Sequence, residues 1–289
     1  LLEIQHGIPV ALAAPSVFTI YGATPRLDKH ALVLGISQSG AATDVLEVVR
    51  RGREAGALTA CIVNERDSAL AAAAEFGLDV DAGEEVGIAA TKTYIGSLAL
   101  LGLLSTALDD SRPERLENLQ RVPVMIEHTL RLDDAIHHLV QKYREMQDCV
   151  ILARGYNQAT AAEIALKLIE TSYVSAKAYS AADFQHGSIA QVNRGFPCLL
   201  FAPDGKAFAH MASLAEKLRK QHPALICFAH DAAFLARSET AVRIPDAIPE
   251  WISPIVYGVA AQLFAYWLSV ERGNDPYAPR GLNKVMVTI

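Results

Sequence analysis

The sequence predicts an α/β protein of two tandem domains, each a mostly parallel sheet flanked by helices in three α/β/α layers. Strand-like and helix-like segments alternate along the chain, and their order occurs twice. A length of 289 residues suits two domains of roughly 100–200 residues each. With 51% hydrophobic and 20% charged residues, the composition is that of a chain with a substantial core.

The first half alternates short apolar strands with helices. Residues 30–36 are almost wholly apolar, as in a strand buried on both faces, and residues 43–55 have apolar side chains at helical spacing. Further along, the patterns predict a strand over 58–63, a helix over 68–76, a strand over 78–80 and a helix over 93–108. This order favours parallel strands with crossover helices.

The same order returns in the second half, which indicates a duplicated domain. Strands are predicted over 196–202, 224–229 and 241–244, and helices over 207–220, 232–238 and 252–272. This copy is preceded by a strand over 148–153 and a helix over 159–171, for most of which the first copy has no counterpart. We therefore expect the chain to be N-terminally incomplete, with an unpaired edge in its first sheet.

The predicted domains are residues 1–125 and residues 126–289. The charged segment 109–147 between the copies predicts a pair of linking helices, with breaks at Pro113 and Pro123.

Composition and charge restrict the partners. The net charge of -6, with no run of Lys or Arg, argues against nucleic acid. Residues 252–270 carry no charge, but Pro254, Gly258 and Gln262 favour a buried helix over a membrane span. The cysteines are far apart and lack metal spacing, which predicts buried reduced thiols in a cytoplasmic protein without metal or cofactor. They are Cys61, Cys149, Cys198 and Cys227.

The first candidate site is the turn Gly35-Ile-Ser-Gln-Ser-Gly40, between a predicted strand and a helix. Ligands of open α/β sheets bind at this end of the strands, and helix N-termini favour anions. Ser37, Gln38 and Ser39 could therefore donate hydrogen bonds to a phosphate. The alternative is a tight turn whose serines cap the helix. The turn lacks the lysine of a P-loop and is not a GxGxxG motif.

Four further segments have both a chemical and a structural interpretation. The acidic segment 84–93 precedes a helix that Thr91 could cap. Glu163 and Lys167 could simply pair on a helix, while Glu170 stands near the helix end, where the dipole disfavours a carboxylate. His186 lies in a predicted loop, where a histidine suits proton transfer but is commonly just a surface residue. Lys284 lies in a Pro-rich tail, where a lysine is commonly just exposed.

Together these motifs resemble the two-domain sugar-isomerase (SIS) family, which includes the isomerase half of glucosamine-6-phosphate synthases and stand-alone hexosamine-6-phosphate deaminases. The resemblance covers essentially the whole chain. It is carried, in order, by Ile36–Gly40, Gly87–Lys92, Ala162–Glu170, Gln185–Gly187 and Pro279–Lys284.

The resemblance implies roles for these positions. Ser37, Gln38 and Ser39, with Thr43, would bind the sugar 6-phosphate, and Ile88 and Ala89 would lie beside the substrate. Glu170 would carry the proton between C1 and C2, with Lys167 beside it. His186 would assist ring opening from the neighbouring subunit of a homodimer, and Lys284 could form an imine with the keto sugar.

Two departures from the family pattern bear on the activity. Ala41 and Ala42 replace a Glu-Thr pair whose threonine also contacts phosphate, and Ala90 replaces a serine. We therefore expect an aminosugar-phosphate deaminase or isomerase. The alternatives are the isomerase part of a glutamine–fructose-6-phosphate aminotransferase, a fructosamine-6-phosphate deglycase, or a non-catalytic sugar-phosphate sensor.

Overall fold

The computed structural model describes residues 1–23, 25–110 and 112–284. These residues form two compact units. Unit 1 comprises Leu1–Asp110 together with the tail that begins at Gly281, and unit 2 comprises residues 112–280.

Unit 1 is built on a parallel sheet with the strand order β1-β2-β3. The strands are β1 (Leu32–Ser37), β2 (Leu58–Val63) and β3 (Phe76–Asp79). The helices are α1 (Leu2–His6), α2 (Pro15–Thr19), α3 (Thr43–Glu54), α4 (Ala69–Ala73) and α5 (Lys92–Ala107). Two glycines allow α3 to approach β1 closely, since a Cβ on Gly35 would lie 2.8 Å from Val49 Cγ2 and one on Gly52 2.7 Å from Val33 Cγ2.

Unit 2 is built on a parallel sheet with the strand order β5-β4-β6-β7-β8. The strands are β4 (Asp148–Ala153), β5 (Ser175–Ser180), β6 (Pro197–Ala202), β7 (Ala224–Ala229) and β8 (Thr240–Arg243). The helices are α6 (Arg112–Leu130), α7 (Asp133–Val140), α8 (Gln158–Ser172), α9 (Ala181–Phe184), α10 (Phe208–Arg219), α11 (Ala232–Leu235) and α12 (Ser253–Glu271). Both sheets are parallel throughout the described residues, so the predicted α/β fold class is confirmed.

The predicted repeat of elements is present. The order β1-α3-β2-α4-β3-α5 in unit 1 matches β6-α10-β7-α11-β8-α12 in unit 2. In unit 2, β4 pairs with β6, whereas β1 lies at the edge of its sheet. Leu32 and Ile36 on that strand are each 45% exposed, as expected for an edge without a partner among the described residues.

Helix α12 is the uncharged segment for which a membrane span was considered. It is long and apolar enough to cross a membrane by length and composition, but 78% of its most apolar stretch is buried within the structure. It packs against α6, α7 and α8. The prediction of a buried helix is confirmed.

The structure divides the chain differently from the predicted boundary at residue 125. That position lies inside α6, whose residues Val122, Met125 and Thr129 are buried and which packs on α12 of unit 2. The predicted break at Pro123 is wrong, because the proline is accommodated within α6. Such a proline costs the helix one hydrogen bond, and the packing of this face outweighs the loss.

Strand β5 and the short helices α1, α2 and α9 were not anticipated. The sequence of β5, Ser-Ala-Lys-Ala-Tyr-Ser, is too polar to resemble the buried strands. It lies at the edge of the sheet, where polar side chains are tolerated. Position in the sheet, rather than hydrophobicity, explains this strand.

Candidate functional site

The Ser-rich turn of unit 1 directly follows β1, at the carboxyl end of the strand. Ser37 Oγ accepts the N–H of Gly40 at 3.1 Å, and Ser39 Oγ accepts the N–H of Ala41 at 3.3 Å. A hydroxyl that accepts in this way still carries a hydrogen that it can donate. The two serines therefore stabilise the turn, and their hydroxyl groups can still donate hydrogen bonds to a ligand.

Gly40 is required by this geometry. Its φ of +59° is in the left-handed region, and an added Cβ would overlap the side chain of Ser68. The carbonyl of Gly40 accepts the N–H of Leu70, and Ser68 Oγ caps α4 through the N–H of Ala71. The turn is thus packed against the start of α4.

Helix α3 begins at Thr43, immediately after the turn. Its N-cap is Ala42, whose methyl side chain cannot accept a hydrogen bond. The serines therefore do not cap this helix, contrary to the alternative interpretation of the sequence. The N-terminus of a helix directs its first N–H groups towards the position where an anion would bind.

Unit 2 has a different arrangement at the matching position. The turn between β6 and α10 contains Gly205, with a φ of +128°. Glu250 Oε2 accepts the N–H of Lys206 at 2.9 Å, and Oε1 accepts the N–H of Ala207 at 3.1 Å. A carboxylate of the chain itself thus occupies the anion position that precedes α10, whereas the corresponding position in unit 1 has no such carboxylate among its described contacts.

The acidic segment before α5 is a helix cap. Glu85 is 4% exposed and accepts hydrogen bonds from the N–H and the hydroxyl of Thr93, both at 2.9 Å, and from Thr91 Oγ1 at 3.2 Å. Burial acts to raise the pKa of Glu85, but the hydrogen bonds from Thr93 and Thr91 hold the pKa below its ordinary value. The cap of α5 is therefore Glu85, and the Thr91 side chain that the sequence suggested as the cap makes no cap hydrogen bond.

Two lysines are bound to the main chain of this segment. Lys92 Nζ donates to the carbonyl of Glu84 at 2.6 Å, and Lys284 Nζ donates to the carbonyl of Glu85. The tail is thereby bound to unit 1. Ile88 is half-buried and Ala89 is buried in the loop that follows; a contact of either with substrate stays a prediction.

Helix α8 carries three charged side chains on one face, at successive turns. Lys167 Nζ lies 2.8 Å from Glu170 Oε2 and 3.7 Å from Glu163 Oε1. Glu163 and Lys167 are buried, whereas the Glu170 side chain is 22% exposed. Burial raises the pKa of Glu163, against the opposing effect of the Lys167 charge. The spacing predicted the pairing of Lys167 with Glu163, and the family resemblance implied that Lys167 lies beside Glu170. The burial of Glu163 was not anticipated.

His186 lies in the loop after α9, anchored by the fully buried side chain of Phe184. Its N–H donates to the carbonyl of Asp183, and its side chain is exposed. No described contact joins the imidazole to Glu170. Among the described residues there is also no group of His, Cys, Asp and Glu that could hold a metal ion.

Tandem parallel sheets with a hydroxyl-rich turn at the carboxyl end of a strand define an α/β protein of the class in which ligands bind at such strand ends. The chain belongs to the SIS domain family, which matches residues 14–107 and 142–272.

The chain is similar to an isomerizing glutamine–fructose-6-phosphate aminotransferase of Thermococcus kodakarensis, at 37% identity over 89% of this chain and 44% of the relative. It thus spans about half the length of the curated relatives it matches. The C-terminal domain of a glucosamine-fructose-6-phosphate aminotransferase from Francisella tularensis has a TM-score of 0.88 at 25% identity, covering 96% of this chain and 80% of that one.

A glucosamine-6-phosphate deaminase from Thermotoga maritima has the same fold. Its TM-score is 0.75 at 23% identity, and the match covers 94% of this chain and 80% of that one.

Proposed function

We propose that the chain is a phosphosugar isomerase that moves a proton between C1 and C2 of a hexose or hexosamine 6-phosphate. The observation that carries this proposal is the contact of Lys167 Nζ with Glu170 Oε2 at 2.8 Å, on a buried face of α8. An aldose–ketose shift needs one base that receives a proton from one carbon and returns it to the next.

Glu170 is suited to be this base. Lys167 binds Oε2 and fixes the carboxylate, which leaves Oε1 to take the proton. Lys167 is itself held between two carboxylates, because Glu163 lies on its other side. A side chain held in this way loses little freedom when the substrate binds.

The turn of Ser37, Gln38 and Ser39 would bind the 6-phosphate. The hydroxyls of Ser37 and Ser39 support this role, because each can still donate its hydrogen to a ligand. The N-terminus of α3 directly after the turn also favours an anion. Thr43, exposed as the first residue of α3, would add a donor where the family's threonine is absent. The filled anion position at Glu250 in unit 2 favours unit 1 for this role.

Lys284 would form an imine with the keto sugar, which makes the neighbouring carbon more acidic. His186 would assist ring opening from the partner subunit of a homodimer. We further infer a cytoplasmic protein without a nucleic-acid or membrane partner.

The substrate pair we propose is fructose 6-phosphate and glucosamine 6-phosphate, with release of ammonia in the deaminase direction. The synthetic direction, as part of a longer aminotransferase, is the second candidate. The 37% identity with isomerizing aminotransferases favours it.

The test uses the purified chain and glucosamine 6-phosphate, with ammonia and fructose 6-phosphate measured as products. The reverse reaction is followed with fructose 6-phosphate and ammonium. Glu170→Gln should lower kcat by about 10²–10⁴-fold, since an amide cannot take the proton. Glu117→Gln, an exposed glutamate of α6, is the matched control.

Full activity of Glu170→Gln would reject this base. Binding of the sugar phosphates without turnover in either direction would instead support the alternative of a non-catalytic sugar-phosphate sensor.

A further inference from the structure

Asn64 connects two segments of unit 1 that lie far apart in the sequence. It directly follows β2, and its N–H donates to the carbonyl of Gln38 at 3.1 Å. Its side chain binds a second loop, because Nδ2 donates to the carbonyl of Gly83 at 2.8 Å and Oδ1 accepts the N–H of Ala82 at 2.9 Å. One residue is thus bound to both the Ser-rich turn and the loop after β3.

The loop after β3 is the segment that holds the two lysines. Asp81 and Gly83 have left-handed backbone conformations, with φ of +53° and +68°. A non-glycine residue such as Asp81 in this region needs support from its surroundings. The chain then continues to the carbonyls of Glu84 and Glu85, which accept Lys92 and Lys284.

We propose that Asn64 is a positioning residue for Lys284. Its side chain fixes residues 82–83, and through them the carbonyl that receives the Lys284 amine, relative to the turn that would bind phosphate. An amide is suited to this task because it donates and accepts at the same time. The chemistry assigned to Lys284 rests on the proposed function; the geometric role of Asn64 does not.

Asn64→Ala separates the two connections. The substitution removes the side-chain bonds to Ala82 and Gly83 but keeps the main-chain bond to Gln38. We expect binding of inorganic phosphate, measured by calorimetry, to be unchanged. Reductive trapping of the Lys284 imine with fructose 6-phosphate and cyanoborohydride, located by mass spectrometry, should slow about tenfold, because the amine is no longer held in place.

Two further measurements do not require Lys284 to react with a sugar phosphate. In Asn64→Ala, amide hydrogen exchange over residues 82–86 should become faster than in the wild type. Reductive methylation of Lys284 by formaldehyde should also become faster, because the loop that carries its acceptor carbonyl is held by fewer hydrogen bonds. Asn64→Asp keeps the acceptor for Ala82 but not the donor to Gly83, so all three effects should be intermediate.

Asn193→Ala, an exposed asparagine of unit 2, is the control and should match the wild type. Unchanged exchange and methylation in Asn64→Ala would overturn the proposal. A loss of phosphate binding in parallel with trapping would also overturn it, since that indicates general loosening. If the wild type itself forms no adduct, the imine role proposed for Lys284 fails, while hydrogen exchange and methylation still decide whether Asn64 positions Lys284.

Discussion

The carboxylate of Glu250 accepts the N–H of Ala207 at 3.1 Å, at the start of α10. The same carboxylate accepts the N–H of Lys206, so it occupies the position that an anion would take at this helix N-terminus. At the matching position of unit 1, the N-cap of α3 is Ala42, which has no side-chain acceptor. Unit 2 thus fills the anion position of this motif with a carboxylate of its own, whereas the N-cap residue of unit 1 is an alanine.

Replacing Glu250 with alanine should destabilise unit 2. The N–H groups of Lys206 and Ala207 lose their acceptor, which should lower the free energy of unfolding by about 1–3 kcal/mol in urea. Added phosphate should then stabilise the variant more than the wild type, because it can take the vacated position. Glu250→Gln, which keeps an acceptor oxygen, should lose less. Equal stabilisation of all three proteins by phosphate would contradict this account.

Replacing Ser39 with alanine should weaken binding of a sugar phosphate. The variant lacks a hydroxyl donor and the acceptor for the N–H of Ala41. We expect the Kd for fructose 6-phosphate, measured by calorimetry, to rise about tenfold. Ser16→Ala, an exposed serine on α2, should leave the Kd unchanged. An unaltered Kd in Ser39→Ala would show that the phosphate binds elsewhere.

Glu85 should make the stability of unit 1 depend on pH. Hydrogen bonds hold its pKa below the ordinary 4.5 in the folded state, despite the opposing effect of burial. Its contribution is therefore present above about pH 4.5 and is lost as the pH falls through the lower, folded-state pKa. Glu85→Gln should cost about 1–3 kcal/mol in the free energy of unfolding at pH 7.

The difference between wild type and Glu85→Gln should shrink in urea titrations below that pH. Glu84→Gln, at the exposed neighbouring position, should behave as the wild type at every pH. A constant difference across the pH range would exclude titration of Glu85 as its cause.

The buried thiols should be unreactive in the native protein. Burial raises the pKa of Cys149 and Cys198 to about 12 and of Cys227 to about 11, and it also raises the pKa of Cys61. Because the thiolate is the reactive form, an aromatic disulfide reagent should release no thiolate chromophore from folded protein at pH 8. Denaturation should expose all four thiols of the chain. Rapid reaction before denaturation would contradict the burial of these groups.

Local sequence patterns were sufficient for much of the fold. Strands β2, β4 and β7 have the predicted bounds, since each is an almost wholly apolar run that only a two-sided core accommodates. The pairing of Lys167 with Glu163 was also predictable, because residues four apart on a helix are neighbours. The position of Ser37–Gly40 followed from the strand before it and the helix after it.

The sequence by itself therefore determined the fold class, the repeat and the candidate phosphate turn, all of which depend on neighbours in the chain. Only the tertiary structure decided that Glu250 fills the second anion position, that Asn64 binds the loop of Gly83, and that Lys284 reaches Glu85. The physical reason is that these hydrogen bonds join residues distant in sequence. Their geometry depends on how strands and helices pack, for which periodicity and spacing carry no signal.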